Sequence, residues 1–98
     1  MQFSVRVTDY QKNIMLNMCD LDLLGKEIIQ DKLTMNISKN YYGEKIVNRE
    51  EAKTLLQKSS IINMVGKDSV DLSLEIGIGS ENGIKKISNI PFLIIFKM

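Results

Sequence analysis

Whether this chain carries one helix or two is decided by residues 68–77, which read DSVDLSLEIG. The apolar side chains of this stretch alternate strictly with polar ones, which is the period of a half-buried β-strand. Asp68 and Ser69, however, are residue types that cap the start of a helix, and Gly77 is a type that ends one. The residue pattern alone therefore leaves helix and strand open.

The helix upstream of this stretch is easier to place. Asn48 is followed three residues later by Glu51, which is a variant of the capping box that begins many helices. Over residues 49–58 the apolar side chains form one stripe around Ala52 and Leu56. The pattern predicts a surface helix with one side turned to the core.

Short alternating or continuous apolar runs predict the strands. They lie at residues 3–7, 14–19, 27–29, 33–37, 61–65, 84–88 and 92–96. The first two runs are expected to form a hairpin, and so are the next two. Between the hairpins we expect a short helical turn in which Asp20 accepts from free backbone amides and Gly25 closes the turn. We expect the last strand to be fully buried, with Pro91 at its start.

The core is expected to draw on both helices and on the last strand. Its predicted members are Leu55, Leu56, Val70, Leu74, Phe92 and Ile94.

Length and composition indicate one globular domain spanning residues 1–98. The lone Cys19 cannot form an internal disulfide, which is typical of a reducing compartment. The N-terminus lacks the pattern of a signal peptide, and the longest apolar run, residues 90–96, is too short to cross a bilayer. We therefore expect a cytoplasmic protein.

Several kinds of catalytic site are excluded by the composition. The chain has no histidine, which removes Ser-His and Cys-His nucleophile pairs and imidazole metal sites. Cys19 lies beside Asp20, whose charge raises a thiol pKa, so the cysteine is expected to be structural. Asp20 and Asp22 lack the spaced carboxylate loop of a hard-cation site. The glycines at 77–79 close an element rather than opening a helix onto a phosphate. We expect no catalytic residue, metal or cofactor.

A binding role is the remaining class. The net charge of +1 argues against a free-standing nucleic-acid binder, because phosphate neutralisation supplies most of the affinity. RNA contact would need a local patch or a neighbouring protein, and we expect neither DNA nor a membrane as a partner. Exposed tyrosines can stack on bases and lysines can contact phosphates; the alternative is one core tyrosine and a solvated lysine face. The candidate residues for RNA or partner binding are Lys85, Lys86, Arg49, Lys53, Tyr41 and Tyr42.

Four short motifs carry a resemblance to a known family. They are Leu23-Leu24-Gly25-Lys26, Tyr41-Tyr42-Gly43-Glu44, Ile62-Asn63-Met64-Val65-Gly66 and Ile90-Pro91. In this order and spacing, the chain resembles the archaeal domain of unknown function 424 family over nearly its whole length. The resemblance implies a helix after the Val-Gly step, which favours a helix over residues 69–76. It also implies a Gly and a His around the Pro step, where this chain has Asn89 and Phe92.

Together these observations predict an α+β fold, with a mostly antiparallel sheet of several short strands and two helices packed on it. We expect a non-enzymatic intracellular binding protein. The resemblance implies an association with the archaeal translation machinery, through ribosomal RNA or a ribosomal protein. Two alternatives stay open: a small-ligand-binding protein or enzyme that uses carboxylate and tyrosine groups, and a homo-oligomeric structural module that uses the apolar C-terminal segment as an edge.

Overall fold

The computed structural model describes residues 1–97, with the backbone alone at Tyr10. Within that range the chain forms eight strands and three helices. The strands are β1 (Gln2–Tyr10), β2 (Asn13–Asp20), β3 (Glu27–Gln30), β4 (Leu33–Asn36), β5 (Lys45–Asn48), β6 (Ile61–Val65), β7 (Lys85–Ile87) and β8 (Ile90–Phe96). The helices are α1 (Lys39–Tyr42), α2 (Arg49–Lys58) and α3 (Lys67–Glu75).

Six of these strands form one sheet in the order β5-β1-β2-β6-β8-β7, and β3 pairs with β4 in a separate hairpin. The predicted α+β class and both predicted hairpins are confirmed. The sheet is mixed, because β2 and β6 run parallel while its other described pairings are antiparallel. A third helix also appears, since Ser38 accepts from the Tyr41 amide and caps the short α1.

The main core lies between the sheet and helices α2 and α3, on what we call the helical face. Strand residues Phe3, Val5, Leu16 and Ile62 are fully buried there. Helix α2 begins with the predicted capping box, in which the Asn48 side chain accepts from the Glu51 amide at 2.9 Å. The amphipathic α2 therefore covers one face of the sheet, as its sequence predicts.

The predicted core is only partly correct. Leu56 and Val70 are buried, and Leu55 and Leu74 pack half-buried against them. Ile94 is 59% exposed, so its placement in the core is wrong, as is full burial of β8. The physical reason is that successive side chains of β8 point to opposite sides of the sheet, and the helices cover one side only.

A second, smaller cluster lies on the opposite side of the sheet, under the β3–β4 hairpin and the 3₁₀ turn at Leu21–Leu23. We call it the hairpin cluster. Its buried members are Cys19, Ile28, Ile37 and Val65, and Tyr42 and Phe92 pack against them half-buried. Phe92 therefore has an apolar packing role, and Asn89 takes the left-handed conformation (φ +65°) that glycine and asparagine tolerate best.

Helix α3 confirms that the segment predicted at residues 69–76 is helical rather than extended, with the helix spanning Lys67–Glu75 and Ile76 as its C-cap. Its cap differs from the expectation, because neither Asp68 nor Ser69 caps it. The capping group is Asp20, whose carboxylate accepts from the amides of Asp68 and Ser69 and from the Ser69 hydroxyl. Asp20 consequently makes no side-chain capping bond to the turn that follows it, where we expected one. Burial raises the pKa of Asp20, and these hydrogen bonds oppose part of the rise.

Candidate functional site

The two sides of the sheet are covered unequally. On the side of the hairpin cluster, α1 and the β3–β4 hairpin cover one end of the strands and leave the other end open. Two rows of residues cross β1, β2, β6 and β8 at the open end, and we call them the open rows. They are Arg6, Asn17, Asn63 and Ile94 in one row, and Thr8, Met15, Ile61 and Phe96 in the next. None of these residues is buried.

A chain of hydrogen bonds fixes the centre of the open rows. The Asn63 Nδ2 donates to Asn17 Oδ1 at 2.8 Å, and the Asn17 Nδ2 donates to the Tyr41 carbonyl at 3.1 Å. At the edge of the rows, the Arg6 guanidinium donates to the carbonyl of Asn40. These bonds hold α1 beside the rows and orient both amide side chains.

The two tyrosines of α1 are placed differently. Tyr41 is 64% exposed beside the open rows. Tyr42 packs against the hairpin cluster, and its carbonyl accepts from the Ser4 hydroxyl at 2.5 Å. Burial raises the pKa of Tyr42, with the neighbouring Cys19 contributing. One tyrosine is thus structural and the other is available for contact.

Lys85 and Lys86 do not form one patch, because neighbouring residues of a strand point to opposite sides of the sheet. Lys85 pairs with Phe92 and so points to the side of the open rows, at the far edge of the sheet. Lys86 pairs with Pro91 on the helical face. There it lines a cleft beside α3.

The cations of α2 lie on the helical face as well, over β1, β2 and β5 rather than beside β7. Arg49 forms an ion pair with Glu75 of α3 at 2.7 Å, and this contact raises its pKa. Lys53 is half-buried on the same helix. A further cation, Lys97, donates to the carbonyls of Leu56 and Gln57 at the end of α2. The predicted candidates are therefore spread over both sides of the sheet.

Sequence reasoning missed the other members of the open rows, chiefly Arg6, Asn17, Asn63 and Phe96. A polar residue in the middle of each of two apolar strands, at Asn17 and Asn63, was the available signal. Asparagine is disfavoured in strands and rarely buried, so its presence there marks a side that the core does not cover.

The helical face carries a cleft of about 640 Å³ between α3 and the edge strand β7. Its wall includes the apolar side chains Val70, Leu74 and Ile84. Its charged lining residues are Lys67, Lys86, Asp71 and Glu81, so the two signs balance. Tyr42 does not line this cleft.

Cys19 lies at the covered end of the sheet and is fully buried. Burial, with the charges of Asp20 and Asp22, raises the pKa of its thiol to about 12. A thiol held this strongly in its neutral form is a poor nucleophile. Among residues 1–97, no cluster of acidic or cysteine side chains is arranged to hold a metal ion. Over the same residues, no helix is long and apolar enough to cross a membrane.

Comparison with known proteins places the chain in a family. Residues 8–98 match the family described as "Protein of unknown function (DUF424)", and the chain belongs to this family, which confirms the resemblance in its motifs. The fold is similar to the crystal structure of an uncharacterized conserved protein from Methanopyrus kandleri, with a TM-score of 0.81 and 22% identity over 100% of this chain and 95% of that one. No curated protein matches the chain.

Proposed function

We propose that this protein is a non-enzymatic binding protein of the archaeal cytoplasm that contacts ribosomal RNA within the translation machinery, and that the open rows are its contact surface. The single observation that carries the proposal is the composition of this side of the sheet. Among its described strand residues, none is Asp or Glu, although acidic residues make up nearly half of the charged residues of the chain.

Exposed side chains on these rows support a contact role. Phe96 is 67% exposed and Ile94 is 59% exposed, and Tyr41 stands beside them. Large apolar side chains grouped on one exposed surface are characteristic of interaction sites rather than of ordinary solvated surface. Of the candidates chosen from the sequence, Tyr41 lies beside the rows and remains part of the proposed contact, whereas Lys85 is in register with Phe92 at the covered end of the sheet.

The link to translation is the association that the resemblance to the DUF424 family implies. With a net charge of +1, the free protein has little electrostatic attraction to nucleic acid. We therefore expect weak binding to isolated RNA and firm attachment only at a composite site with a ribosomal protein.

Co-sedimentation with ribosomal subunits tests the proposal. Wild-type protein is expected to travel with a subunit in a sucrose gradient at low salt. Arg6→Glu, on the open rows, should release it, whereas Lys86→Glu makes the same charge change on the helical face and should not. Wild-type protein that stays at the top of the gradient at every salt and magnesium concentration contradicts a role on the ribosome.

The cleft between α3 and β7 favours a second candidate function, the binding of a small ligand. Its apolar wall and balanced charges suit a zwitterionic molecule of modest size. A screen of amino acids and related zwitterions by thermal shift would test this function. A ligand whose stabilising effect disappears in Asp71→Asn would support it, and the absence of any shift would contradict it.

A further inference from the structure

We propose that the open rows bind unpaired RNA bases, with Tyr41 and Phe96 as stacking surfaces and Asn63 as a contact to a base edge. The inference rests on the proposed RNA contact and narrows it from RNA in general to single-stranded RNA. Loops and unpaired ends of a structured RNA would then be the targets, rather than its duplex regions.

The two aromatic side chains flank the centre of the rows. The hydrogen bond from Asn17 to the Tyr41 carbonyl ties the backbone of Tyr41 beside the rows. Phe96 lies two residues along β8 from Ile94, which is the partner of Asn63. Strand spacing and rise place the Cα atoms of Asn17 and Phe96 roughly 12 Å apart. Aromatic side chains exposed on a sheet and on an element beside it can stack two or three successive bases.

The amide of Asn63 is oriented for recognition. One of its N–H groups is held by Asn17 Oδ1, while no partner of its Oδ1 is found among residues 1–97. Asn63 is half-buried and lies on the open side of the sheet, between Asn17 and Ile94. An amide presents a donor and an acceptor together, which suits the Watson–Crick edge of a base. That edge is accessible only when the base is unpaired.

The charge of the surface favours a polyanion but limits the number of phosphates it can neutralise. Arg6 lies in the rows, Lys39 is in the adjacent α1, and Lys12 is in the turn between β1 and β2. Contact with all three cations corresponds to a salt slope of about −2 for a single strand. Most of the affinity must then come from base stacking, which a duplex cannot offer because its bases are already stacked.

Fluorescence anisotropy with two labelled RNAs tests the inference. One probe is a short single-stranded RNA of mixed sequence, and the other is a duplex of the same composition. The intact chain is expected to prefer the single strand. Tyr41→Ala and Phe96→Ala should each weaken its binding by about 5- to 100-fold, and Tyr41→Phe should retain it. Ile29→Ala removes a comparably exposed apolar side chain from the β3–β4 hairpin and serves as the matched control.

Each outcome separates the inference from the proposed function. Equal binding of both probes, unaffected by Tyr41→Ala, would overturn the stacking site while leaving RNA contact intact. Failure of both probes to bind would overturn the stacking site, and if co-sedimentation is also absent the proposed function itself is contradicted. A concentration-dependent dimer that Phe96→Ala converts to a monomer, with no RNA binding, would make the open rows a protein interface and overturn the inference. Because the substituted side chains are exposed, unchanged melting curves are expected for all variants.

Discussion

Asp20 at the end of β2 caps the start of α3 through Ser69, whose amide and hydroxyl both donate to the same carboxylate oxygen at 2.8 Å. The second carboxylate oxygen accepts from the Asp68 amide at 3.0 Å. Helices leave their first backbone amides without partners, and a carboxylate there satisfies them and complements the helix dipole. A strand therefore supplies the cap of a helix that lies far from it in sequence.

Asp20→Ala is expected to destabilise the protein by about 1–3 kcal/mol, since the buried amide and hydroxyl of Ser69 lose their acceptor. Asp20→Asn keeps one acceptor oxygen and should destabilise the protein less than Asp20→Ala does. Urea unfolding monitored by circular dichroism measures both changes. An alanine variant as stable as wild type would show that the capping bonds contribute nothing.

Gly66→Ala is expected to lower the free energy of unfolding by about 2–5 kcal/mol, for two reasons. Gly66 has φ +112° and ψ 154°, a conformation that is almost restricted to glycine. An added Cβ would also lie 2.6 Å from Asp20 Oδ1. In an Asp20→Ala background the steric conflict is absent and only the backbone strain remains. The cost of Gly66→Ala should therefore be smaller in that background. Strict additivity in the double-mutant cycle would mean that the carboxylate moves aside freely.

Leu56→Ala is expected to lower the free energy of unfolding by about 2–5 kcal/mol, because the side chain is fully buried in the helical-face core. Ile94→Ala is the matched control on the open side, and a change within about 0.5 kcal/mol is expected there. Chemical denaturation of the two variants under the same conditions gives the comparison. A large loss at Ile94 would show that something covers the open rows in solution.

Cys19 is expected to make the stability fall at high pH. The pKa of its thiol is raised in the folded state to about 12, so above its ordinary value near 9 the unfolded chain loses a proton that the folded chain keeps. The contribution is fully present below that pH and declines by about 1.4 kcal/mol per pH unit above it. In Cys19→Ala, the stability measured between pH 9 and 11 should decline less steeply, and identical slopes would contradict the assignment.

Elements with local signals could be predicted from the sequence. The capping box connects Asn48 to Glu51 within one helical turn. The first hairpin needs only two apolar strand patterns that are adjacent in sequence, with a turn between them. The cap of α3 could not be predicted, because Asp20 and Ser69 meet only once β2 and β6 are paired. The burial of β8 was overestimated for a related reason: an apolar run does not reveal which of its two sides will be covered.

The candidate site was predictable only in part. Adjacent tyrosines before a glycine pointed to one structural and one exposed ring, and Tyr42 and Tyr41 take these places. Lys85 and Lys86 do not form one basic patch, because neighbouring residues of a strand point to opposite sides of the sheet. The Asn17–Asn63 bond depends on the register between two strands that are distant in the chain, so no local pattern could have found it.

The parallel pairing of β2 with β6 also bears on how quickly the chain can fold. On either side of this pair, β5-β1-β2 and β6-β8-β7 are antiparallel groups built from separate halves of the sequence. Pairing β2 with β6 requires closure of the long loop over residues 21–60. The chain must lose the conformational entropy of this loop before the contacts between the two strands form. Substitutions that weaken the packing between β2 and β6, such as Met64→Ala, should therefore slow folding. Changes in the β7–β8 turn should mainly speed unfolding.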